Sequence, residues 1–173
     1  MEKIRAIRDR IEWFLVYAVI GWLYECIWCV MIDENGEFFN RGFLKGPWLP
    51  IYGFAMLIIL FVIRKLKIKR PILIFLTGAV ISTVAELIGS YFLEKILGYF
   101  LWDYSEFFMN FEGRIAVKPE VMFGLLVLGG ALSVQPKMEY IQKRFKDSIL
   151  HNIIFVVIFG IFTVDLITRF SSL

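Results

Sequence analysis

Three carboxylates interrupt long apolar runs of this 173-residue chain: Glu25, Glu86 and Asp165. A carboxylate at the centre of a bilayer costs about 2.5–3.5 kcal/mol on insertion scales, so such residues usually face a bundle interior or a wet cavity and serve a function. Glu25 and Glu86 are therefore the candidate catalytic acids and site residues. Asp165 precedes Arg169 by four residues, a spacing that favours a structural ion pair on one helix face.

Polar or small side chains recur at every fourth residue around both glutamates, which places each set on one helix face. The two sets are Tyr17, Gly21, Glu25 and Cys29, and Ser82, Glu86, Ser90 and Glu94. Gly21 is small enough to permit close helix approach. Cys26 and Cys29 have C-x-x-C spacing, but no second Cys or His cluster accompanies them. The sequence therefore predicts neither a metal site nor a cofactor.

Two connecting segments carry further polar candidates. The first, residues 40–53, is rich in Gly and Pro, so the chain should enter the second helix irregularly and dip into the protein. The N–H groups of this segment and Arg41 would then hold an anion or pair with the buried acids. The second, residues 102–115, combines Asp, Tyr, Ser and Arg, and its tyrosine is a candidate proton donor. The predicted substrate-binding set is Tyr24, Glu25, Asn40, Arg41, Tyr52, Glu86, Asp103, Tyr104 and Arg114.

Long apolar runs must position these residues. Hydrophobic residues make up 59% of the chain, and the mean hydropathy is +0.71. These values exclude disorder, nucleic-acid binding and an ordinary soluble enzyme. They predict an all-α, integral membrane helical bundle that forms a single transmembrane domain over residues 1–173. The five predicted spans are Ile11–Ile32, Pro47–Ile63, Ile72–Leu97, Glu120–Val134 and Ile149–Thr168.

Basic residues predict the orientation of these spans. The N-terminus and the segments 64–70 and 137–146 hold 13 of the 19 Lys and Arg residues. Because basic residues prefer the cytoplasmic side, the N-terminus should lie inside and the C-terminus outside. All three acids then fall in the outer half of the membrane, which predicts a cavity open to the outside. Residues Pro136–Asp147 should form a cytoplasmic surface helix, either an interfacial anchor or a docking site for a partner.

The motifs resemble those of the ABC-transporter type IV family, small bacterial membrane proteins also called CmpB-like permeases. The resemblance covers about residues 11–125 and is carried, in order, by Gly21–Glu25, Asn40–Leu44 with Gly46-Pro47, Pro50–Gly53, Glu86, Trp102–Ser105 and Gly113–Ile115. It implies a multi-pass protein of the bacterial cytoplasmic membrane with a permease function. The sequence contains no G-x-x-x-x-G-K-[ST] loop, so an ATPase would have to be a separate chain.

Three functions compete at this point. A permease or substrate-binding subunit would hold a cation or polar solute with Glu25 and Glu86, balanced by Arg41 and Arg114. It would work as a homodimer or with a partner subunit. An intramembrane enzyme would instead use the two glutamates as acid and base on a lipid or lipid-linked substrate. A non-catalytic accessory protein would pair its buried acids with the arginines and leave no cavity.

Overall fold

The computed structural model describes residues 2–32, 40, 42–99 and 102–172, and these are helical for most of their length. The helices are α1 (Glu2–Ile32), α2 (Pro50–Lys65), α3 (Pro71–Leu97), α4 (Val117–Gly129), a π-helical turn (Gly130–Val134), α5 (Gln135–Arg144) and α6 (Ile149–Phe170). The described residues contain no β-strand; they include an isolated antiparallel β-bridge between Phe111 and Ile115. The predicted all-α class is confirmed.

Four helical segments are long and apolar enough to cross a membrane: Glu2–Trp28, Pro71–Ile96, Val117–Arg144 and Ile149–Phe170. Helix α2 has 16 residues, which at 1.5 Å per residue extend about 24 Å, less than the roughly 30 Å of a hydrocarbon core. The chain is thus an integral membrane protein with at least four helices of spanning length. A fifth span at α2, and with it the orientation of the termini, stays a prediction.

The predicted break between the fourth span and a separate surface helix at Pro136 is wrong. Helices α4 and α5 join through the π-helical turn, in which the N–H of Gln135 donates to the carbonyl of Gly130, five residues earlier. Proline lacks an N–H and collides with the carbonyl four residues before it, and a π turn widens the helix where that clash would fall. Pro136 therefore continues the helix that starts at Val117.

The chain divides into two compact units, the first formed by residues 1–57 and 137–173. Phe14 and Leu15 of α1, Leu44 and Trp48 of the loop before α2, and Phe162 of α6 form its buried cluster. The non-helical segment 42–49 thus packs into this unit, as its Gly and Pro content predicts.

The second unit covers residues 58–136. Helices α3 and α4 pack closely there because glycines face bulky side chains. A Cβ atom on Gly78 would lie 2.6 Å from Cβ of Val127, and one on Gly124 would lie 2.6 Å from Cε2 of Phe75. The loop 102–116 joins the two helices, so the second unit alone positions Glu86, Tyr104 and Arg114. The predicted single transmembrane domain over the whole chain stays a prediction.

Candidate polar sites in the membrane helices

Glu86 of α3 lies beside Tyr104 in the second unit. The phenol of Tyr104 donates to Oε1 of Glu86 over 3.2 Å. A loop hydrogen bond fixes the tyrosine, since its N–H donates to the carbonyl of Gly113 at 2.8 Å. Gly113 has a φ of +66°, a left-handed conformation that glycine adopts without steric cost. Two residues predicted separately from the sequence therefore meet in the structure.

Glu120, at the start of α4, marks the boundary of the fourth predicted span and is not among the predicted site residues. Its carboxyl group lies beside the hydroxyl of Thr83 and the carboxyl of Glu86. Both of its carboxyl oxygens are buried, and neither receives a hydrogen bond from the described residues. The hydroxyl of Thr83 donates instead to the carbonyl of Ala79, at 2.8 Å. The signal that identified Glu86, an acid within an apolar helix, also applied to Glu120.

Glu120 also lines a cavity of about 290 Å³ in the second unit. Its walls are mainly apolar, and Glu120 and Thr83 are its polar side chains. The lining residues are Phe75, Ala79, Thr83, Met109, Ile115, Ala116, Val117, Glu120 and Val121. Two neighbouring carboxyl groups favour a shared proton or a bound cation, because two adjacent negative charges repel in a low-dielectric medium. The arrangement suits a ligand with a positive or donating head and an apolar body.

Glu25 has a different environment, in the first unit. The phenol of Tyr52 donates to its Oε1. The ring of Tyr24 lies 6.3 Å from that of Tyr52, centroid to centroid. Helix α1 approaches Tyr52 closely at Gly21, where a Cβ atom would lie 2.2 Å from Cγ of the tyrosine. The close approach expected at Gly21 is thus present, and it brings together three of the predicted substrate-binding residues.

Asn40 organises the loop that precedes α2. Its Oδ1 accepts from Nε1 of Trp22 at 2.7 Å and from the N–H of Gly42 at 3.0 Å. Its Nδ2 donates to the carbonyls of Leu44 and Lys45 at 3.1 and 3.0 Å. This side chain makes all four hydrogen bonds that an amide can readily form, so it fixes the loop. Arg41, also predicted as a substrate-binding residue, lies outside the described residues.

Arg114 anchors the loop 102–116 to α3. Its guanidinium donates to Oε2 of Glu94 at 2.5 Å and to Oγ of Ser90 at 2.6 Å. The guanidinium carbon, Cζ, lies 3.9 Å from the ring centroid of Tyr91. Glu112 also contacts it, at 3.3 Å. The hydrogen bond to Glu94 raises the pKa of Arg114 further above its ordinary value. The predicted polar face of α3 is therefore divided: Ser90 and Glu94 bind Arg114, whereas Glu86 lies beside Glu120.

Asp103 closes a turn in the same loop. Its Oδ1 accepts from the N–H of Ser105 at 2.9 Å and from the hydroxyl of Ser105 at 2.5 Å. These hydrogen bonds, the hydroxyl one foremost, lower the pKa of Asp103 below its ordinary value. The observed contacts of Asp103 and Arg114 are thus structural, and a substrate-binding role for either stays a prediction.

Asp165 binds backbone rather than a neighbouring side chain. The N–H of Lys45 donates to its Oδ1 at 3.2 Å and the N–H of Gly46 to its Oδ2 at 2.8 Å. The guanidinium of Arg169 instead lies 4.9 Å from the ring centroid of Phe43. The loop N–H groups that the sequence offered as an anion site therefore hold this carboxylate. Among the described residues, no three His, Cys, Asp or Glu side chains are arranged to hold a metal ion.

Comparison with known proteins adds the family context. The family model described as "Putative ABC-transporter type IV" matches residues 12–170, which is most of the chain. No curated protein and no solved structure matches the chain.

Proposed function

Since the chain belongs to the ABC-transporter type IV family, we propose that it is the membrane-spanning, substrate-binding subunit of a transporter in the bacterial cytoplasmic membrane. In this proposal the N-terminus lies in the cytoplasm, as the distribution of Lys and Arg indicates. A homodimer or a partner subunit completes the transporter, and a separate ATPase supplies the energy if transport is ATP-driven. Membrane lipid surrounds the apolar helix faces.

The observation that carries the proposal is the placement of Glu120 beside Glu86 and on the wall of an apolar cavity. Isolated buried carboxyl groups are expensive in a membrane, and their retention marks ion or solute pathways. The carboxyl of Glu120 supplies an acceptor without a protein donor among the described residues. Thr83 lies beside it, and Tyr104 holds Glu86 from the loop.

This chemistry selects the substrate class. A protonated amine donates up to three hydrogen bonds and neutralises the paired carboxylates, while an alkyl or aryl portion contacts Phe75, Ile115 and Val121 on the cavity wall. The cavity volume, close to the lower limit of typical small-molecule sites, fits a compact solute. We propose a small amphipathic amine or related cation as the substrate.

We propose a second polar contact within the first unit, formed by Glu25 with Tyr24 and Tyr52. The phenol of Tyr52 already donates a hydrogen bond to one carboxylate oxygen of Glu25. A solute that binds there has to compete with this hydrogen bond. Glu25 is accordingly ranked below Glu120 as the principal ligand-binding acid.

Binding of matched small probes tests the proposal. Purified protein in nanodiscs is titrated with hexylamine, hexanol and hexanoate, and thermal unfolding is followed. Hexylamine should raise the unfolding midpoint well above the effect of hexanol, and Glu120→Gln should abolish the difference. Glu106→Gln, which changes an exposed acid of the same unit, is the matched control and should keep it. Equal effects of amine and alcohol on the wild type, or a preference that survives Glu120→Gln, would contradict the proposal.

An intramembrane enzyme is the second candidate, favoured by the same acid pair. One carboxyl holding a proton and one ionised neighbour can act as acid and base, with the Tyr104 phenol beside Glu86 as a further donor. Under this hypothesis the nanodisc lipids are substrates. Incubation with labelled phospholipid would then yield a product whose formation depends on Glu86 and Glu120. Amine binding without lipid conversion would favour the transport subunit.

A further inference from the structure

A second, partly buried polar cluster lies in the first unit, where the N-terminal part of α1 meets α5 and α6. Nε2 of Gln142 donates to Oε2 of Glu12 at 2.7 Å and to the carbonyl of Asp9 at 3.0 Å. The indole N–H of Trp13 donates to Oε1 of Gln142 at 2.9 Å. Because an indole nitrogen only donates, it fixes which end of the Gln142 amide faces Glu12.

His151, at the start of α6, faces an acceptor with each ring nitrogen. Nε2 lies 2.8 Å from Oε1 of Glu12, and Nδ1 lies 3.2 Å from the carbonyl oxygen of Phe145. A neutral imidazole carries one N–H and therefore donates to only one of them. Hydrogen bonds at both ring nitrogens require either a protonated ring, which donates to both oxygens, or a protonated Glu12, which donates to Nε2 while Nδ1–H donates to the carbonyl of Phe145.

The surroundings of Glu12 favour the first alternative. Its carboxylate accepts from Gln142 and lies 3.6 Å from Nε of Arg8, and donors and cations around a carboxyl group stabilise its ionised form. Arg8 is only 8% exposed and also pairs with Asp9 at 2.8 Å. With a protonated His151, this partly buried group of two acids, one arginine and one histidine has no net charge.

We propose that His151 is a proton-dependent contact that joins α6 and the α5–α6 connection to α1. When the ring is charged, it bridges Glu12 and the carbonyl of Phe145. When the proton is lost, one ring nitrogen presents a lone pair to an oxygen acceptor, and that hydrogen bond is replaced by repulsion. The junction then opens locally at residues 141–151. This inference is independent of the acid pair in the second unit.

Charged groups on each packed element act on this proton. Glu12 and Asp9 of α1 favour the charged ring, while Arg8 of the same helix opposes it. The N-terminal end of α6, which carries a partial positive charge, also opposes it. Gln142 of α5 and Asn152 of α6, which accepts from Arg8 at 2.6 Å, are neutral. In the connection, Asp147 is paired with Arg5. These charges act in opposite directions on the proton that bridges α6 to α1.

The chain contains one histidine, so ¹⁵N-histidine labelling of the full protein in nanodiscs gives a single pair of ring signals. We expect both nitrogens to be protonated at the acid end of a titration from about pH 5 to 8, the usual range of histidine titration. Loss of the proton should coincide with faster amide exchange at residues 141–151. Glu12→Gln should move the titration midpoint to lower pH, whereas Glu139→Gln, an exposed acid of α5, should leave it unchanged.

His151→Gln separates protonation from folding, since glutamine still donates a hydrogen bond but does not titrate in this range. This variant should fold and show amide exchange at residues 141–151 that no longer depends on pH beyond the intrinsic rate. Two results would overturn the inference: a ring with a single N–H across the whole range, or a pH dependence of exchange that persists in His151→Gln.

Discussion

The contact of Gly78 with Val127 gives the sharpest prediction about the packing that supports the acid pair. Replacing Gly78 by Ala places a Cβ atom 2.6, 2.7 and 2.9 Å from Cβ, Cγ1 and Cγ2 of Val127. Carbon atoms pack best at about 3.5–4.0 Å, so α3 and α4 must separate by about 0.9 Å or more at this point. Val127 cannot rotate away, because a β-branched side chain in a helix has one strongly preferred rotamer.

Overpacking of this kind costs typically about 1–3 kcal/mol. Gly89 lies on the same helix and has open space where its Cβ would be, so Gly89→Ala should be neutral or stabilising by up to about 1 kcal/mol, the difference in helix propensity. The two alanine variants should therefore differ by about 1–4 kcal/mol. Equilibrium unfolding by SDS in mixed micelles measures this difference in the free energy of unfolding.

A double variant distinguishes the steric cause from any general effect of alanine. Val127→Ala removes Cγ1 and Cγ2, two of the three atoms that the new Cβ would meet, and should by itself cost stability, because Val127 is buried. Combined with Gly78→Ala it should cost less than the sum of the two single changes, by about 0.5–3 kcal/mol for residues in contact. Gly78→Ala should also weaken the preference for hexylamine, since separation of α3 from α4 moves Thr83 away from Glu120. If Gly78→Ala unfolds like Gly89→Ala, the packing account is refuted.

Two further predictions concern the loops. Asp165→Ala should lower the free energy of unfolding by about 1–3 kcal/mol, because donors such as the N–H groups of Lys45 and Gly46 lose their partner. Asp165→Asn should lose less. Equal SDS unfolding of Asp165→Ala and wild type would contradict this prediction. Because its folded-state pKa is lowered, Asp103 should order the turn at Ser105 above the ordinary pKa near 4, and this contribution should be lost as the pH falls through the lower folded value. Amide exchange at Ser105, corrected for the intrinsic rate, should therefore speed up at low pH in the wild type. It should not do so in Asp103→Asn, which keeps the Oδ1 acceptor but does not titrate. The same acid response in both proteins would exclude the carboxylate as its source.

The helices could be predicted from the sequence because apolar length is a local property. The third predicted span, Ile72–Leu97, differs from α3 by one residue. The fourth predicted span ends at Val134, whereas the helix continues to Arg144. A proline normally interrupts a helix, and nothing in the local composition signals the π turn that accommodates Pro136. The helix that contains the first predicted span, Ile11–Ile32, extends back to Glu2. Its charged first turns are stabilised by pairs such as Arg8 with Asp9, together with distant partners such as Asn152 that no spacing reveals.

The site residues show why an intramembrane acid alone is a weak indicator of function. Asp165 and Glu25 each lie within apolar helices, yet backbone N–H groups bind the first and Tyr52 binds the second. Spacing along one helix cannot predict these donors, because they come from segments distant in sequence. Glu94 likewise shares a helix face with Glu86, but Arg114 binds it.

Glu120 differs from the other acids in its supply of donors, not in its depth within a helix. The neighbouring hydroxyl of Thr83 donates to the carbonyl of Ala79, and the neighbouring acid, Glu86, is itself an acceptor when ionised. Burial of such a group is unfavourable unless a proton or a ligand occupies it. A proton or a donating ligand would supply the hydrogen bonds that the described residues do not. Glu120, which the sequence marked only as the start of a predicted span, is therefore the first residue to test.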